Sequence, residues 1–253
     1  GTDTVVMQEK IIREGNSIQI KDISLVKGDN VRPQGSQTKK GEMALQERQL
    51  LSPVAISYLA GIGINKVNVF LKPTISIIVT GKELAKAEDS ITEGKIFESN
   101  SIGLIAALQQ LGINPVSVEV VDDIEEEIER AISNQLESDI LILTGGVSVG
   151  DYDFVKPVLD NLAVQESFYK VKQKPGKPLF FGTLNNTEIF ALPGNPSAVV
   201  MCFHVYLKPF IKEKMGIESF TKKEFGILMN EYIKKSGLTH FVKAFVENNK
   251  VEI

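Results

Sequence analysis

Tryptophan is absent from the chain, cysteine occurs once, at Cys202, and histidine twice, at His204 and His240. One thiol cannot close an internal disulfide, and so few ligands cannot build a Cys/His zinc site; a reducing cytoplasm fits this usage. No apolar run reaches the ~18 residues that span a bilayer, and no charged-then-apolar leader opens the sequence. Excess positive charge is missing too. A net charge of -4 and a pI near 5.4 argue against general nucleic-acid binding, so any anion site must be local. What is present is a 43% hydrophobic content over 253 residues, enough for one large domain or two.

The stretch from Asp139 to Lys156, DILILTGGVSVGDYDFVK, organises the reading. Ile140 to Leu143 form a short uninterrupted apolar run ending in a turn signal, the pattern of a strand buried on both faces. Gly145, Gly146 and Gly150 let peptide N–H groups approach a ligand without a Cβ between them. Asp151 and Asp153 stand at the exit. Ligands of open α/β sheets bind beyond the carboxyl ends of the strands, which makes this turn a candidate site. Asp151 occupies the position where a nucleotide-binding P-loop needs Lys, so that motif is excluded.

In chain order, residues 1–38 read as a small β module, with strands at Thr4 to Gln8 and Ser17 to Ile20. Residues 39–73 follow as a connecting segment: Ser52-Pro53 opens a helix that stops at Gly61 and Gly63, and Lys66 to Phe70 predict a strand. From 74 to 216 strands alternate with helices, the signature of a doubly wound, mostly parallel α/β sheet. Ile75 to Val79, Val116 to Val121, Ile140 to Leu143 and Ile189 to Leu192 are its strands. Asn100 caps a helix carrying Ile102, Ile105, Leu108 and Leu111; Asp123 and Glu126 form a capping box for the next. Val155 to Leu162 make a short helix, Asn195-Pro196 open another, and Lys208-Pro209 kink or end it. His240 to Ile253 predict a hairpin around Glu247-Asn248-Asn249. The opening Gly1-Thr2-Asp3-Thr4, without methionine, reads as the start of a fragment.

The strand ends Thr80-Gly81-Lys82-Glu83, Asp122-Asp123, Thr144-Gly145-Gly146 and Pro193-Gly194-Asn195-Pro196 share one edge if the sheet is parallel. The first turn after Asn195 can hold an oxyanion on its free N–H groups. An extended segment from Phe168 to Pro178 would place Lys170, Lys172 and Lys174 on one face. Glu83, Asp122 and Asp153 would bring carboxylates to the same rim, and hard oxygens beside phosphate suit Mg²⁺. Edge lysines that only block strand pairing, and aspartates that only cap helices, are the plain alternatives.

These residues resemble the molybdopterin molybdenumtransferase family, MoeA in bacteria and the E domain of gephyrin in animals. The resemblance rests on GTDTVVMQE, VRPQGSQTKKGE, TGKEL, GKIFESNS, TGGVSVGDYDFVK, KPGKP and LPGNPSA, an ordered series over nearly the whole chain. It implies a molybdopterin-binding α/β domain over 74–216, a remnant of a second domain in 1–38, and the start of a C-terminal β-barrel over 220–253. It implies insertion of molybdate into adenylylated molybdopterin with release of AMP, dependent on Mg²⁺. Catalytic roles fall to Asp153, Lys170, Lys174 and Glu83, and metal binding to Asp122, Asp153 and Glu83. Thr144, Gly145, Gly146, Ser148, Pro193, Gly194, Asn195 and Pro196 would bind the molybdopterin substrate. A homodimer and an adenylyltransferase partner are implied as well. Against the family pattern, the helical dimerisation segment and the first half of the second domain are not in this chain.

The sister adenylyltransferases carry Thr-Gly and Arg-Asp where this chain has Val147-Ser148 and Asp151-Tyr152-Asp153, and the related nucleotide pyrophosphatases also differ at that turn. A non-catalytic scaffold, as in the gephyrin branch, is the third reading. Replacing Lys170 or Lys174 by Gln should weaken molybdate and AMP binding, with a loss that shrinks as salt screens the site. Titration at two salt concentrations checks this; unchanged affinity with more aggregation would mean edge protection only.

Overall fold

The computed structural model describes residues 2–85, 88, 90–147, 154–217, 224–234 and 237–253. These fall into two units, Gly1–Asn68 and Val69–Ile253, each taken by itself. In the first, β1 (Ile11–Glu14) and β2 (Ser17–Ile20) pair antiparallel. Gly15 (φ +58°) starts their two-residue loop, the place where a II′ turn takes glycine. The strand predicted at Thr4 to Gln8 is not formed. Val5 instead donates to the Asp29 carbonyl and Gly28 to that of Asp3, so a loop takes the backbone groups that a ladder would have used. Helix α1 (Pro53–Gly61) begins as predicted, with the Ser52 hydroxyl accepting from the Ala55 amide at 3.2 Å.

Residues 66–70 also form no strand; all five are exposed. Their apolar alternation finds no neighbouring strand to pair with, and a lone strand has no stability of its own.

The second unit is built on β3 (Ile75–Thr80), the short pair β4 (Leu84–Ala85) and β5 (Ile96–Phe97), α2 (Asn100–Gln109), β6 (Ser117–Val121) and α3 (Glu125–Asn134). It continues with β7 (Ile140–Thr144), α4 (Val155–Asn161), β8 (Gln165–Tyr169), β9 (Gln173–Lys174), β10 (Phe180–Leu184) and β11 (Thr187–Leu192). Helices α5 (Pro196–Cys202) and α6 (Lys208–Lys214) are joined by a π turn at Phe203–Leu207. The main sheet has the order β6-β3-β7-β11-β10-β8; its first four strands are parallel, and β10 runs against both neighbours.

Both faces are covered, which is why β7 reads as an unbroken apolar run and β3 as one interrupted only by Ser76, whose buried hydroxyl is bonded to Gln135 and Ser138. Ile75, Ile77, Val79, Ile140, Ile142, Phe190 and Leu192 pack under Leu104 and Leu108 of α2 and under Val199, Cys202 and Ile211 of α5 and α6. The alternate residues, Ile78, Leu141, Leu143, Ile189 and Ala191, pack under Ile128, Ala131 and Ile132 of α3 and Val155, Val158 and Leu159 of α4. This is the doubly wound arrangement that the alternating pattern calls for. The unit also carries β12 (Ile227–Leu228), β13 (Thr239–His240), β14 (Phe245–Glu247) and β15 (Lys250–Glu252). The predicted hairpin is β14–β15, turning through Asn248 and Asn249 at φ +47° and +65°, and β13 adds to β9.

Four local readings are corrected. In α2 the buried line is Ser101, Leu104 and Leu108, while Ile102 is exposed; three-residue steps drift around a 3.6-residue helix. Asp123 does not cap α3, whose N-cap is Ile124 without a side-chain bond. Pro209 does not end the last helix. Having no N–H to give the carbonyl four residues back, it is accommodated by the π turn just before it. The four strands read from the sequence are joined by two more, β10 and β8, with β10–β11 an antiparallel hairpin turning at Asn185 (φ +54°).

At the amino ends of β3 and β7, the Thr74 amide and hydroxyl both donate to Asp139 Oδ2 at 2.7 Å, and the Asp139 amide donates to Thr74 Oγ1 at 2.9 Å. The Thr74 bonds hold the Asp139 carboxyl below the usual carboxylate range. A depressed carboxyl contributes stability while ionised and loses it as pH falls through its folded value. Thr74→Val should therefore cost about 1 kcal/mol near pH 7, a deficit that fades below about pH 4. Denaturant melts across that pH range check it.

Candidate functional site at the carboxyl ends of the strands

The parallel pairing puts the ends of β3, β6, β7 and β11 on one edge, as the strand-end motifs require. A cleft of about 560 Å³ opens there, lined among others by Thr80, Glu83, Asn100, Asp123, Gly145, Gly146, Pro193, Gly194, Asn195 and Pro196. Two glycines make its floor. A methyl group on Gly145 (φ +101°) would lie 2.1 Å from the Thr80 carbonyl oxygen, and one on Gly146 (φ +53°) 2.9 Å from Thr80 Oγ1. Strand β3 thus closes on the turn after β7 to a distance that admits no side chain.

The opposite wall is the turn between β11 and α5. Asn195 caps α5, its Oδ1 accepting from the Ser197 amide at 2.9 Å, with Pro196 in the first turn. Thr144 is buried, and its hydroxyl donates to the Pro193 carbonyl at 3.2 Å. Asn100 binds the two turns together: its amide donates to Thr144 Oγ1 at 3.1 Å and to the Gly194 carbonyl at 2.8 Å. Asp123 does the same on the other side, its Oδ2 accepting from the Lys82 amide at 3.2 Å across from β6 to β3.

Polar atoms in this cleft are left over. Among the described residues, five buried side-chain oxygens or nitrogens have no hydrogen-bond partner, and three of them, Thr80 Oγ1, Asn100 Oδ1 and Asp123 Oδ1, belong to cleft residues. Each such group costs about 1–3 kcal/mol when unmade. A concentration of that cost in one concave place marks a surface shaped for a polar ligand.

Of the residues singled out from the sequence, Glu83, Gly145, Gly146, Pro193, Gly194, Asn195 and Pro196 line the cleft, and Thr144 lies behind its wall. Ser148 and Asp153, with Gly150 and Asp151, lie outside the described residues. Asp122 is exposed, its amide turned to Glu127 at 3.4 Å, and Asp123 is the acid of that pair in the lining. The lysine ladder is not formed. Lys170 takes a left-handed backbone (φ +64°) that ends β8, and Lys174 belongs to the separate strand β9. Between them Gln173 is buried, accepting from the Tyr206 hydroxyl and donating to the Gly176 carbonyl at 2.8 Å. Lys170, Lys172 and Lys174 are exposed, and Pro178 is the member of their segment that lines the cleft.

Asn100, read as a cap, is instead the first residue of α2, whose N-cap is Ser99 without a side-chain bond, and Asp123 stands just before α3; a capping role is the ordinary reading at both places. The signal was their place after strand ends or in the GKIFESNS stretch, but the pairing of β6 with β3 is what gives it meaning.

Residues 76–213 match the model of the probable molybdopterin binding domain, and residues 1–63 that of the MoeA N-terminal region (domain I and II). Over all of this chain it is 32% identical to the molybdopterin molybdenumtransferase of Haemophilus influenzae, covering 64% of that protein. To the one from Staphylococcus epidermidis it is 34% identical, over 96% of this chain and 58% of that protein. A molybdopterin biosynthesis MoeA protein from Pyrococcus horikoshii OT3 superimposes with a TM-score of 0.72 at 30% identity, over 100% of this chain and 62% of that one. The chain spans about three fifths of the length of the curated relatives it matches.

The two cleft glycines differ in what they tolerate. Gly145→Ala should cost about 2–3 kcal/mol, since the methyl meets backbone and the φ is left-handed. A methyl on Gly194 would sit 3.5 Å from the Gly145 Cα, ordinary contact, so Gly194→Ala should stay within about 1 kcal/mol of wild type. Thermal melts of both variants check the contrast.

Proposed function

Since the chain belongs to the molybdopterin molybdenumtransferase (MoeA) family, we propose that the protein inserts molybdate into the dithiolene of adenylylated molybdopterin and releases AMP. The observation that carries the reading is the cleft at the strand ends, where three buried polar atoms have no partner among the described residues. A pterin-linked pyrophosphate brings both donors and acceptors to such a surface. Gly145 and Gly146 let the turn after β7 close on Thr80, and this sets the floor against which a phosphate would lie. Asn100 holds the two turns at a fixed separation, so both are set before the substrate arrives. In this proposal Lys170 and Lys174 supply positive charge for molybdate and phosphate, and Asp153 acts with them.

The donor set fits Mg²⁺. No cluster of three or more His, Cys, Asp or Glu side chains forms among the described residues, but Mg²⁺ takes only one or two carboxylates beside substrate phosphates and water. Asp123, with its unpartnered Oδ1, and Glu83 would hold it, joined by Asp122 and Asp153 in the reading from sequence. Bound there, the ion would shield the phosphate charge. The proposal extends to a homodimer in the cytoplasm that receives its substrate from the adenylyltransferase; no helix among the described residues is long and apolar enough to cross a membrane.

Supplied with adenylylated molybdopterin, the protein should release AMP in a molybdate-dependent way. Asp123→Asn should lower that rate by about 10²-fold or more with little change in melting temperature. Turnover with ATP and plain molybdopterin would point to the adenylyltransferase instead, and AMP release indifferent to molybdate would overturn the proposal.

A further inference from the structure

Strand β8 ends at Tyr169 because Lys170 enters a left-handed backbone conformation that L residues adopt against steric repulsion. The segment is not loosened by this, since the Lys170 amide still donates to the Leu179 carbonyl at 3.0 Å. The consequence is one of direction: the Lys170 Nζ stands 4.6 Å from the centre of the Tyr169 ring, within cation–π distance. The hydroxyl at the far end of the same side chain donates to the Val147 carbonyl at 3.0 Å. Val147 is buried and lines the cleft next to Gly146.

In the sheet, β8 lies three places from β7, roughly 14 Å at ordinary strand spacing. One tyrosine therefore joins a distant strand to the turn that follows β7. The ring is also a particular kind of seat for a cation. A carboxylate would neutralise the ammonium, whereas the face of an aromatic ring attracts it and leaves its full charge for another anion. Lys156, 5.6 Å from the same ring, shows the contrast: its charge is committed to Asp160 and Glu166 at 2.5 and 3.0 Å. Lys170 is paired with no carboxylate among the described residues.

We propose that Tyr169 is a positioning residue for anion capture, holding the Lys170 ammonium and the glycine turn in one fixed relation through the two ends of its side chain. This rests on the reading of Lys170 as an anion ligand. The test is titration of AMP, and separately of molybdate, into wild type, Tyr169→Phe, Tyr169→Leu, Lys170→Gln and the Tyr169→Leu/Lys170→Gln double variant, each with a melting curve. Lys170→Gln and Tyr169→Leu should each weaken AMP binding about 3–10-fold, with Tyr169→Phe, which keeps the ring, between them and wild type. The double variant should be no weaker than Lys170→Gln by more than about 2-fold, because the two residues act as one unit. A merely structural tyrosine would lower the melting temperature while leaving affinity intact, or its loss would multiply with that of Lys170; either result overturns the proposal alone. Unchanged affinity in Lys170→Gln would remove the reading of Lys170 as a ligand, and this proposal with it.

Discussion

The approach of Gly145 to the carbonyl of Thr80 is the constraint on which the second unit's cleft depends. Parallel strands β3 and β7 run side by side in register from Ile75 and Ile140 upward, and at their ends the chain after β7 turns so closely over β3 that no Cβ fits. Glycine is required there for space and for its left-handed backbone together. The turn is thereby held close over the end of β3, with the Gly145 amide bonded across to the Leu192 carbonyl at 3.2 Å. A bulkier residue would push the turn outward, and the walls built against it by Asn100 and Thr144 would lose their bonding distances.

Around that contact the polar atoms divide into those that hold the cleft and those buried beside it with no partner among the described residues. Asn100 shows both in one side chain: its amide nitrogen bridges two turns, while its oxygen has no partner among the described residues. Asp123 likewise uses one oxygen to tie β6 to β3 and leaves the other unpartnered. Ordinary helix caps satisfy their own helix and stop there. Each side chain fixes the scaffold with one atom and keeps the other buried and unpartnered beside the cleft, and the buried hydrophobic layers on both faces of the sheet offset that cost.

Much of this was legible before any coordinates. The apolar runs of β3 and β7, the Ser52-Pro53 and Asn195-Pro196 helix starts and the Asn248-Asn249 turn each follow from local chemistry, and each appears where the residues call for it. Readings failed where local chemistry allows two outcomes. Val67 and Val69 alternate like a strand yet have none beside them, and Asp123 fits a capping box yet bonds across the sheet. The lysines at 170, 172 and 174 share a face only in extended chain, and the left-handed Lys170 removes that condition.

The doubly wound core is written in the chain alone, since a both-face apolar run and an amphipathic helix state their periodicities without reference to partners. So is the glycine turn, because only glycine accepts that backbone. Tertiary structure alone decided which acid of the pair Asp122-Asp123 faces the cleft, that Asn100 clasps two turns, and that Tyr169 reaches from β8 to Val147. Those are contacts between residues 22 to 94 positions apart, or choices between neighbours that differ only in which way a strand end is turned. Strand order fixes them, and strand order is a property of the whole sheet's packing that no single stretch of chain encodes.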